Sequence, residues 1–408
     1  MENKHVTRLY LKKGREESVR RFHPWVFSGA IGGVEGPDPA EGDTVCLYSG
    51  SGDFLGWGHY QTGSIAVRLL SFSDDMPSAG TDIPFWTGRL QQCLHVRHAV
   101  GLAVSPSTSC CRLVHGEGDG LPGLIIDWYD GVCVLQAHSA GMFRARKDIA
   151  AALQAIFGDK LQAVYDKSEG TAPFRAGLDL GDTYLYQTVP AAALCPRTVQ
   201  ENGHKFLVDW ETGQKTGFFL DQRENRALVE RYACGRRVLN LFCYTGGFSV
   251  YALAGGALSV DSVDSSARAI ELTAQNMTLN FGMDAPHRTF CCDAIDFVKT
   301  ASKNTYDLII VDPPAFAKHR GALGNALRAY QRLNAAAIGA VAPGGLVFTF
   351  SCSQVVDREA FALAVFSAAA ETGRQVRVLE RLCQPADHAV NIYHPEGAYL
   401  KGLVLYVE

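Results

Sequence analysis

The sequence of 408 residues lacks the patterns that mark several large classes of protein. Its twelve cysteines include the adjacent pairs Cys110/Cys111 and Cys291/Cys292, but no C-x-x-C and no Cys/His spacing of the zinc type. Neither disulfides nor a metal site is therefore expected. No apolar run is long enough to span a bilayer, and the first residues are charged, so no membrane segment or secretory signal is expected. These absences together predict a protein of the reducing cytoplasm.

A large net charge is also missing, because the formal charge is -4 at pH 7 and the pI is near 6.3. This balance excludes a polycationic protein of the histone kind but allows a local basic surface. Seven basic and three acidic residues fall within positions 1–25, which gives that stretch a charge of +4. Two interpretations stay open: contact with nucleic-acid phosphates, or a solvated first strand and turn, which charge alone favours.

The first half of the chain divides into two segments of different pattern. Residues 1–75 contain short apolar or alternating runs separated by Gly and Asp, which predicts a small β-barrel. Residues 76–195 predict a small α+β domain, with helices near 85–101 and 142–157. Strands are expected at LIIDWY, at VCVLQA and near Leu161.

Residues 196–408 alternate strand-like and helical runs, which predicts an α/β domain with a parallel, Rossmann-like sheet covered on both faces. No helix of matching length separates the last two strand-like runs, RQVRVLERL and GAYLKGLVLYVE, so these strands are expected to pair antiparallel at one edge. In a doubly wound sheet a ligand lies beyond the carboxyl ends of the strands. The residues that follow each predicted strand are therefore the candidates for a functional site.

The first informative strand end is VLNLFCYTGGFS, where glycines after the strand let the backbone approach a ligand closely. Asp264 ends the next predicted strand, eighteen residues after Gly246, where a carboxylate can accept hydrogen bonds from both hydroxyls of a ribose. The third glycine of G-x-G-x-x-G is absent, which favours a nucleoside cofactor without phosphate, S-adenosylmethionine. A plain tight turn explains the glycines alone about as well. The predicted cofactor residues here are Asn240, Tyr244, Thr245, Gly246, Gly247, Phe248 and Asp264.

Two further strand ends carry aspartates. Asp293, followed by Ala294, comes after a strand-like RTF and is predicted to bond an adenine amine, although a helix N-cap explains it at least as well. YDLIIVDPPAF delivers Asp312 to the sheet edge, where two prolines stiffen the loop and remove backbone donors. A rigid turn is the alternative for this loop. Together with the two preceding strand ends, we favour Asp312 as a cofactor and catalytic residue.

The strand GGLVFTF ends in Ser-Cys-Ser, which brings Cys352 to the same edge as Asp312. Carbon 5 of cytosine is a poor nucleophile, but addition of a thiolate to carbon 6 makes carbon 5 reactive toward an electrophilic methyl group. Loss of the proton from carbon 5 and elimination of the thiol then restore the ring. Cys352 is therefore the predicted nucleophile, and Asp312 is predicted to hold the cytosine edge and assist protonation of its ring nitrogen. The alternative is that Cys352, like the other eleven cysteines, is a small apolar residue.

Several long segments resemble a known family. RRFHPWVFSGAI, GEGDGLPGLIIDWY, KTGFFLDQRENR, VLNLFCYTGGFSV, VDPPAF, FTFSCS and ADHAVNIYHPEGAYLKG are similar to the RlmI-type ribosomal RNA methyltransferases, almost from end to end. The resemblance implies a PUA-like RNA-binding barrel followed by a class I methyltransferase domain. It also implies methylation of cytosine carbon 5 in large-subunit ribosomal RNA. Because a target inside a helix must leave its stack, we expect naked or partly assembled RNA to be the better substrate. From the segment TGFFLDQR the resemblance further assigns Phe219, Asp221, Gln222 and Arg223 to the cofactor pocket, while a structural pairing of Asp221 with Arg223 is the alternative.

Two other functions compete with this prediction. A related class shares the Asp-Pro-Pro-x-Phe loop but methylates a guanine nitrogen, whose lone pair needs no thiolate, so Cys352 separates the two. A noncatalytic RNA-binding assembly factor would lack affinity for S-adenosylmethionine. The sequence leaves open whether the protein forms a homodimer, and it names no base for the carbon 5 proton.

Overall fold

The computed structural model describes residues 6–76, 81–103, 105–172, 181–317 and 319–408. The chain forms two compact units. Unit 1 consists of 1–197, 208–218 and 386–397, and unit 2 consists of 198–207, 219–385 and 398–408. Among the helices of the described residues, none has the length and apolar character that crossing a membrane requires.

The first part of unit 1 is a six-stranded sheet with the strand order β2-β6-β5-β4-β1-β3. All its pairings are antiparallel except β1 with β4. The buried side chains of alternate positions, including Leu9, Val45 and Val67, form its core, which is why short alternating runs were sufficient to predict it. The elements are β1 (Thr7–Leu11), α1 (Glu17–Arg20), β2 (Trp25–Phe27), β3 (Ile31–Glu35), β4 (Thr44–Tyr48), β5 (Phe54–Tyr60) and β6 (Ile65–Ser71).

A second sheet of unit 1 has the order β11-β10-β9-β8-β7 and packs against two long helices. The two helices that the sequence predicts are confirmed within a few residues, and Asp82 and Ser139 cap them through their side chains. Strands β7 and β11 were not predicted. The elements are α2 (Ile83–Ala99), β7 (Cys110–His115), β8 (Leu124–Tyr129), β9 (Val132–Ala137), α3 (Ala140–Phe157), β10 (Ala163–Asp166) and β11 (Thr183–Gln187).

The basic N-terminal stretch is largely paired within unit 1. Arg8 contacts Glu35 at 3.2 Å, Arg20 contacts Asp53 at 2.8 Å, and Arg21 pairs with Glu17. Lys12 donates to the Gly29 carbonyl at 2.9 Å. These contacts favour the interpretation as a solvated first strand and turn for four of the seven basic residues. Glu2 and Lys4 lie outside the described residues.

Unit 2 is built around a seven-stranded sheet with the order β16-β15-β14-β17-β18-β20-β19. Its strands are β14 (Arg237–Leu241), β15 (Ser259–Asp264), β16 (His287–Cys291), β17 (Leu308–Val311), β18 (Gly345–Ser351), β19 (Val376–Leu382) and β20 (Lys401–Val407). Its helices are α4 (Arg223–Ala233), α5 (Gly247–Ala254), α6 (Ala267–Phe281), α7 (Ala294–Thr300), α8 (Leu323–Ala340) and α9 (Arg358–Thr372). A separate hairpin, which was not predicted, pairs β12 (Arg197–Glu201) with β13 (His204–Val208).

The sheet of unit 2 is parallel from β16 to β18, and every residue of β17 and β18 is buried. β20 runs antiparallel to both β18 and β19, which confirms the expected antiparallel pairing at one edge. The strand order reverses at β14, since the chain goes to β15 and β16 on one side and then to β17 and β18 on the other. This reversal puts a crevice at the carboxyl ends of β14 and β17, and the predicted α/β fold class is confirmed.

Candidate active site

At one position in the turn after β14, only glycine fits. Gly246 has a φ of +76°, and a Cβ added there would lie 2.7 Å from Cγ2 of Thr273. Tyr244 also has a positive φ, of 48°, so the chain reverses sharply before α5 begins at Gly247. Thr245, Gly247 and Phe248 are buried behind this turn. The glycine turn that the sequence indicated is therefore a tight loop pressed against α6.

Two polar residues of α6, which the sequence did not single out, hold this turn in place. Thr273 donates from Oγ1 to the Tyr244 carbonyl at 2.7 Å, and Asn276 donates from Nδ2 to the Thr245 carbonyl at 2.8 Å. Neither side chain is exposed. Two polar residues three positions apart on the buried face of an amphipathic helix are the signal that identifies them.

Asp264 ends β15 directly beside the turn. Its Oδ2 accepts a hydrogen bond from the Tyr244 N–H at 3.0 Å, and its Oδ1 accepts one from the Ser266 N–H at 2.9 Å. Each carboxylate oxygen can accept more than one hydrogen bond, so the side chain is fixed in direction while acceptor capacity remains. This is the arrangement that recognition of vicinal hydroxyls requires.

Two buried oxygens near the turn have no hydrogen-bond partner among the described residues. One is Oδ1 of Asn240, whose Nδ2 donates to Ser249 at 2.9 Å, and the other is Oδ1 of Asp221, whose Oδ2 accepts from Tyr399 at 2.7 Å. A buried acceptor without a donor costs about 1–3 kcal/mol, so a ligand that donates to these oxygens would recover that cost. A cationic or N–H donor group would satisfy both.

The segment Phe219–Arg223 lies against the same turn. The Phe219 ring meets the Tyr244 ring edge to face, with centroids 5.1 Å apart. Arg226 fixes the segment, because it donates to the Phe219 carbonyl at 2.9 Å and forms a two-pronged pair with the buried Glu201. Arg223 also lies near Glu201, with 3.4 Å between Nε and Oε2. Arg223 thus contacts the carboxylate that braces this segment.

Asp312 follows β17 and is joined to this segment by a chain of amides. Gln222 donates from Nε2 to Oδ2 of Asp312 at 3.0 Å, and Asn225 donates to Oε1 of Gln222 at 2.6 Å. Desolvation raises the pKa of Asp312 to about 7, and the neighbouring charge of Asp221 acts in the same direction. Asp312 can therefore exchange a proton near neutral pH, which suits an acid–base group.

Asp293 lies at the start of α7 and is exposed. Its Oδ1 accepts hydrogen bonds from the Ile295 N–H at 2.8 Å and from the Asp296 N–H at 3.0 Å. Ala294, the first residue of the helix, is buried. The N-cap interpretation therefore describes the contacts of Asp293, and its role toward an adenine stays a prediction.

Cys352 directly follows β18 and is partly exposed, whereas seven of the twelve cysteines are buried. Lys401, opposite Ser351 in β20, is 5% exposed and donates to the carbonyls of Ser353 and Val356, each at 2.5 Å. Burial lowers the pKa of Lys401 to about 8, although the charge of Cys352 opposes that change. The ammonium group thus fixes the loop that carries Cys352 and favours its thiolate.

Tyr330 of α8 is a second group near Cys352 that the sequence did not identify. Its side chain is fully buried between the rings of Phe316 and Phe361. Desolvation raises the pKa of Tyr330 to about 12, and the charges of Cys352 and Asp312 contribute in the same direction. The negative charges of both candidate catalytic residues therefore act on the same buried phenol.

The fold and the turn–carboxylate geometry define a class, the S-adenosylmethionine-dependent methyltransferases. The model of the family described as S-adenosylmethionine-dependent methyltransferase matches residues 111–404, and that of the PUA-like domain matches 9–72. S-Adenosylmethionine is therefore the cofactor, as predicted. In two solved structures, a methyltransferase complexed with S-adenosylhomocysteine and an S-adenosylmethionine-dependent methyltransferase from Streptococcus mutans, the same fold recurs at 24% and 23% identity. Their TM-scores are 0.82 and 0.81, and each covers 98% of this chain and 100% of the other.

Curated relatives narrow the class further. Ribosomal RNA large subunit methyltransferase I of Cronobacter sakazakii is 40% identical over 406 residues, which cover 98% of this chain and 99% of that protein. Its counterpart in Aeromonas hydrophila is 39% identical over 401 residues, which cover 97% and 98%. The chain belongs to the ribosomal RNA large subunit methyltransferase I family.

Proposed function

We propose that the protein methylates carbon 5 of a cytosine in large-subunit ribosomal RNA through a covalent adduct with Cys352. The observation that carries this proposal is the partly exposed cysteine at the carboxyl end of β18, next to the buried Lys401 ammonium. Methylation of a guanine nitrogen would need neither group. Bound S-adenosylmethionine would supply the electrophilic methyl group.

The cofactor residues are part of the same proposal. Asp264 would accept the ribose hydroxyls, and the orphaned oxygens of Asn240 and Asp221 would accept N–H groups of the methionine portion. A side chain at 246 would collide with Thr273, so the cradle depends on glycine there. The remaining proposed cofactor residues are Phe219, Gln222, Arg223, Tyr244, Thr245, Gly247, Phe248, Asp293, Ala294 and Asp312.

The proposed chemistry gives one role to Cys352 and one to Asp312. The Cys352 thiolate adds to carbon 6 of the cytosine, and the π electron pair moves to make carbon 5 the nucleophile. Protonated Asp312, whose pKa is about 7, donates its proton to the ring nitrogen during this addition. After carbon 5 is methylated, solvent water takes its proton, and the electron pair of that C–H bond re-forms the double bond to carbon 6. The sulfur–carbon bond breaks and releases the Cys352 thiolate, and the ring nitrogen returns its proton to the Asp312 carboxylate.

Ribosomal RNA is the proposed substrate because the curated relatives carry that substrate in their names and because a PUA-like domain precedes the catalytic one. A cytosine inside a helix must leave its stack, at a cost of a few kcal/mol, and an unpaired cytosine avoids much of this cost. We expect naked or partly assembled RNA to be methylated faster than mature subunits. A cytoplasmic location belongs to this proposal.

Cys352→Ala is the decisive test, with the exposed Cys234→Ala as its matched control. Both variants are incubated with ribosomal RNA and methyl-labelled cofactor, and modified nucleosides are mapped by mass. We expect 5-methylcytidine from wild type and Cys234→Ala and none from Cys352→Ala. Full activity of Cys352→Ala, or label on guanosine, would support methylation of a guanine nitrogen.

Calorimetry with S-adenosylmethionine separates loss of chemistry from loss of binding. Wild type and Cys352→Ala should bind the cofactor equally, because the thiol is assigned to the base and not to the cofactor. Wild-type protein that binds no cofactor would support a noncatalytic RNA-binding factor instead.

A further inference from the structure

Unit 1 contains a cluster of three side chains of metal-ligating type, to which the proposed methyl transfer gives no role. His23 lies just before β2, and His394 and Glu396 lie in the segment 386–397. Nε2 of His23 is 3.6 Å from Oε1 of Glu396, and Nε2 of His394 is 3.8 Å from Oε2 of the same carboxylate. One potential ligand atom from each residue lies within 4.8 Å of the other two.

His394 is the unusual member, because it is only 2% exposed and yet unsatisfied. Neither ring nitrogen has a hydrogen-bond partner among the residues that the structure describes. The Trp25 ring meets it edge on, with centroids 4.3 Å apart, and shields it from solvent. A buried imidazole without partners is costly, so a ligand for its lone pair is expected.

His23 is held in a suitable direction by the backbone of Trp25. Its Nδ1 accepts a hydrogen bond from the Trp25 N–H at 3.2 Å and lies 3.3 Å from the Trp25 carbonyl oxygen. That bond places the imidazole proton on Nε2, toward Glu396. A metal ion at Nε2 would displace this proton and select the other tautomer, in which Nδ1 carries a proton and donates it to the Trp25 carbonyl. A backbone carbonyl behind a histidine is the outer contact that protein metal ligands use to fix the tautomer.

We propose that His23, His394 and Glu396 bind a divalent transition-metal ion of the zinc type. Two imidazoles and one carboxylate match the hard–soft preference of this ion, and they leave a fourth coordination position for water. Tetrahedral coordination at ordinary bond lengths puts ligand atoms about 3.3 Å apart, so the cluster must contract slightly. Glu396, whose side chain is 53% exposed, can supply that movement.

The ion would fasten the segment 386–397 to the first sheet of unit 1. The segment already contacts this region, because Asn391 donates to the Glu117 carbonyl at 3.3 Å and Trp25 donates to the Glu117 carboxylate at 2.8 Å. Metal binding would therefore stabilise unit 1 by linkage, which raises the melting temperature.

The test uses the full chain, freed of metal by chelation, and titration with cobalt chloride and zinc chloride. The absorption spectrum of bound cobalt distinguishes this site from binding to cysteines. Thiolate ligands give an intense near-ultraviolet charge-transfer band, whereas nitrogen and oxygen ligands do not. Glu396→Gln and His23→Gln remove one ligand each without altering the buried core. His98→Gln, an exposed histidine of α2, is the matched control.

We expect one equivalent of cobalt to bind without a thiolate band, and zinc to raise the melting temperature. Both variants should bind at least about 10-fold more weakly, while His98→Gln binds as wild type does. Binding that is unchanged in the variants, binding that shows the thiolate band, or no binding at all would overturn the proposal. None of these readouts depends on methyl transfer.

Discussion

Asp307 and Asp312 lie at opposite ends of the same strand, β17, and their surroundings are opposite in character. At the amino end, Asp307 accepts from the Arg237 backbone N–H and Nε, each at 2.9 Å, and from its Nη2 at 2.8 Å. These bonds hold the pKa of Asp307 below its ordinary value. At the carboxyl end, desolvation and Asp221 raise the pKa of Asp312 to about 7.

The groups near each aspartate differ in the same way. The charge of Asp307 is neutralised by an adjacent arginine. At the carboxyl edge, the half-buried Asp312 carboxylate, the buried Lys401 ammonium and the buried Tyr330 phenol all have shifted pKa values. Asp221 has an oxygen without a hydrogen-bond partner among the described residues. The surroundings of Asp307 therefore favour a fixed ion pair, and those of Asp312 favour proton transfer.

The sharpest test of this contrast is Asp312→Asn, for which the largest effect is expected. Asparagine can still accept from Gln222 but cannot donate a proton to the ring nitrogen. We expect methyl transfer at saturating cofactor to fall about 100- to 1000-fold, which lies within the range of general acid catalysis. The measurement is single-turnover methylation of ribosomal RNA. Asp307→Asn is the control, and a loss of activity as large as that of Asp312→Asn would abolish the distinction between the edges.

Cofactor binding should depend on Asp264. The two carboxylate oxygens of Asp264 accept hydrogen bonds from the Tyr244 and Ser266 N–H groups. Asp264→Asn replaces one oxygen by an NH2 group, so one of these hydrogen bonds is lost and two N–H groups face each other. We expect affinity for S-adenosylmethionine to fall about 10- to 100-fold, or roughly 1.4–2.7 kcal/mol. Calorimetry measures it, with the exposed Asp284→Asn as control. Unchanged affinity would remove Asp264 from the proposed site.

Lys401 should act on Cys352 through position and charge. Lys401→Met keeps the length of the side chain but removes the cation and leaves the Ser353 and Val356 carbonyls without their donor. We expect methyl transfer to fall about 10-fold and alkylation of Cys352 by iodoacetamide to need a higher pH, because the cation favours the thiolate. The exposed Lys303→Met is the control. Lower activity with an unchanged alkylation profile would indicate a structural role alone.

Local patterns were sufficient to predict much of the fold and part of the site. Continuous apolar runs predicted the parallel strands of unit 2, and glycines, prolines and aspartates after them predicted the turn and the strand ends. Strand β11 and the β12–β13 hairpin were missed because polar residues interrupt their short apolar runs, which hides the period of a strand.

Contacts between residues remote in sequence explain what the sequence did not reveal. Lys401 reaches the Cys352 loop only because β20 inserts antiparallel beside β18. Thr273 and Asn276 reach the glycine turn only because α6 packs on it. His23 and His394 are separated by most of the chain, so no spacing of the zinc type exists between them. The expectation that the protein has no metal rested on spacing alone.

The smallest expected effect, on the order of 1 kcal/mol, is the pH-dependent contribution of the Asp307 ion pair to stability. Asp307 has a lowered pKa in the folded state, so its ion pair stabilises the fold above the pKa of the unfolded chain and is lost as the pH falls. Asp307→Asn should therefore lower the free energy of unfolding at pH 8 and have little effect near pH 3. The measurement is urea denaturation across this range.

Asp312 should show the opposite trend in the same measurement. The pKa of Asp312 is about 7 in the folded protein, which exceeds its pKa in the unfolded chain. Between these two pKa values the folded protein binds one more proton than the unfolded chain, so its stability falls as the pH rises across this range. Asp312→Asn removes that loss and should be more stable than wild type at pH 8, with the gain vanishing near pH 4. If both asparagine variants shift stability in the same direction at pH 8, the two edges of the sheet do not differ in the way proposed.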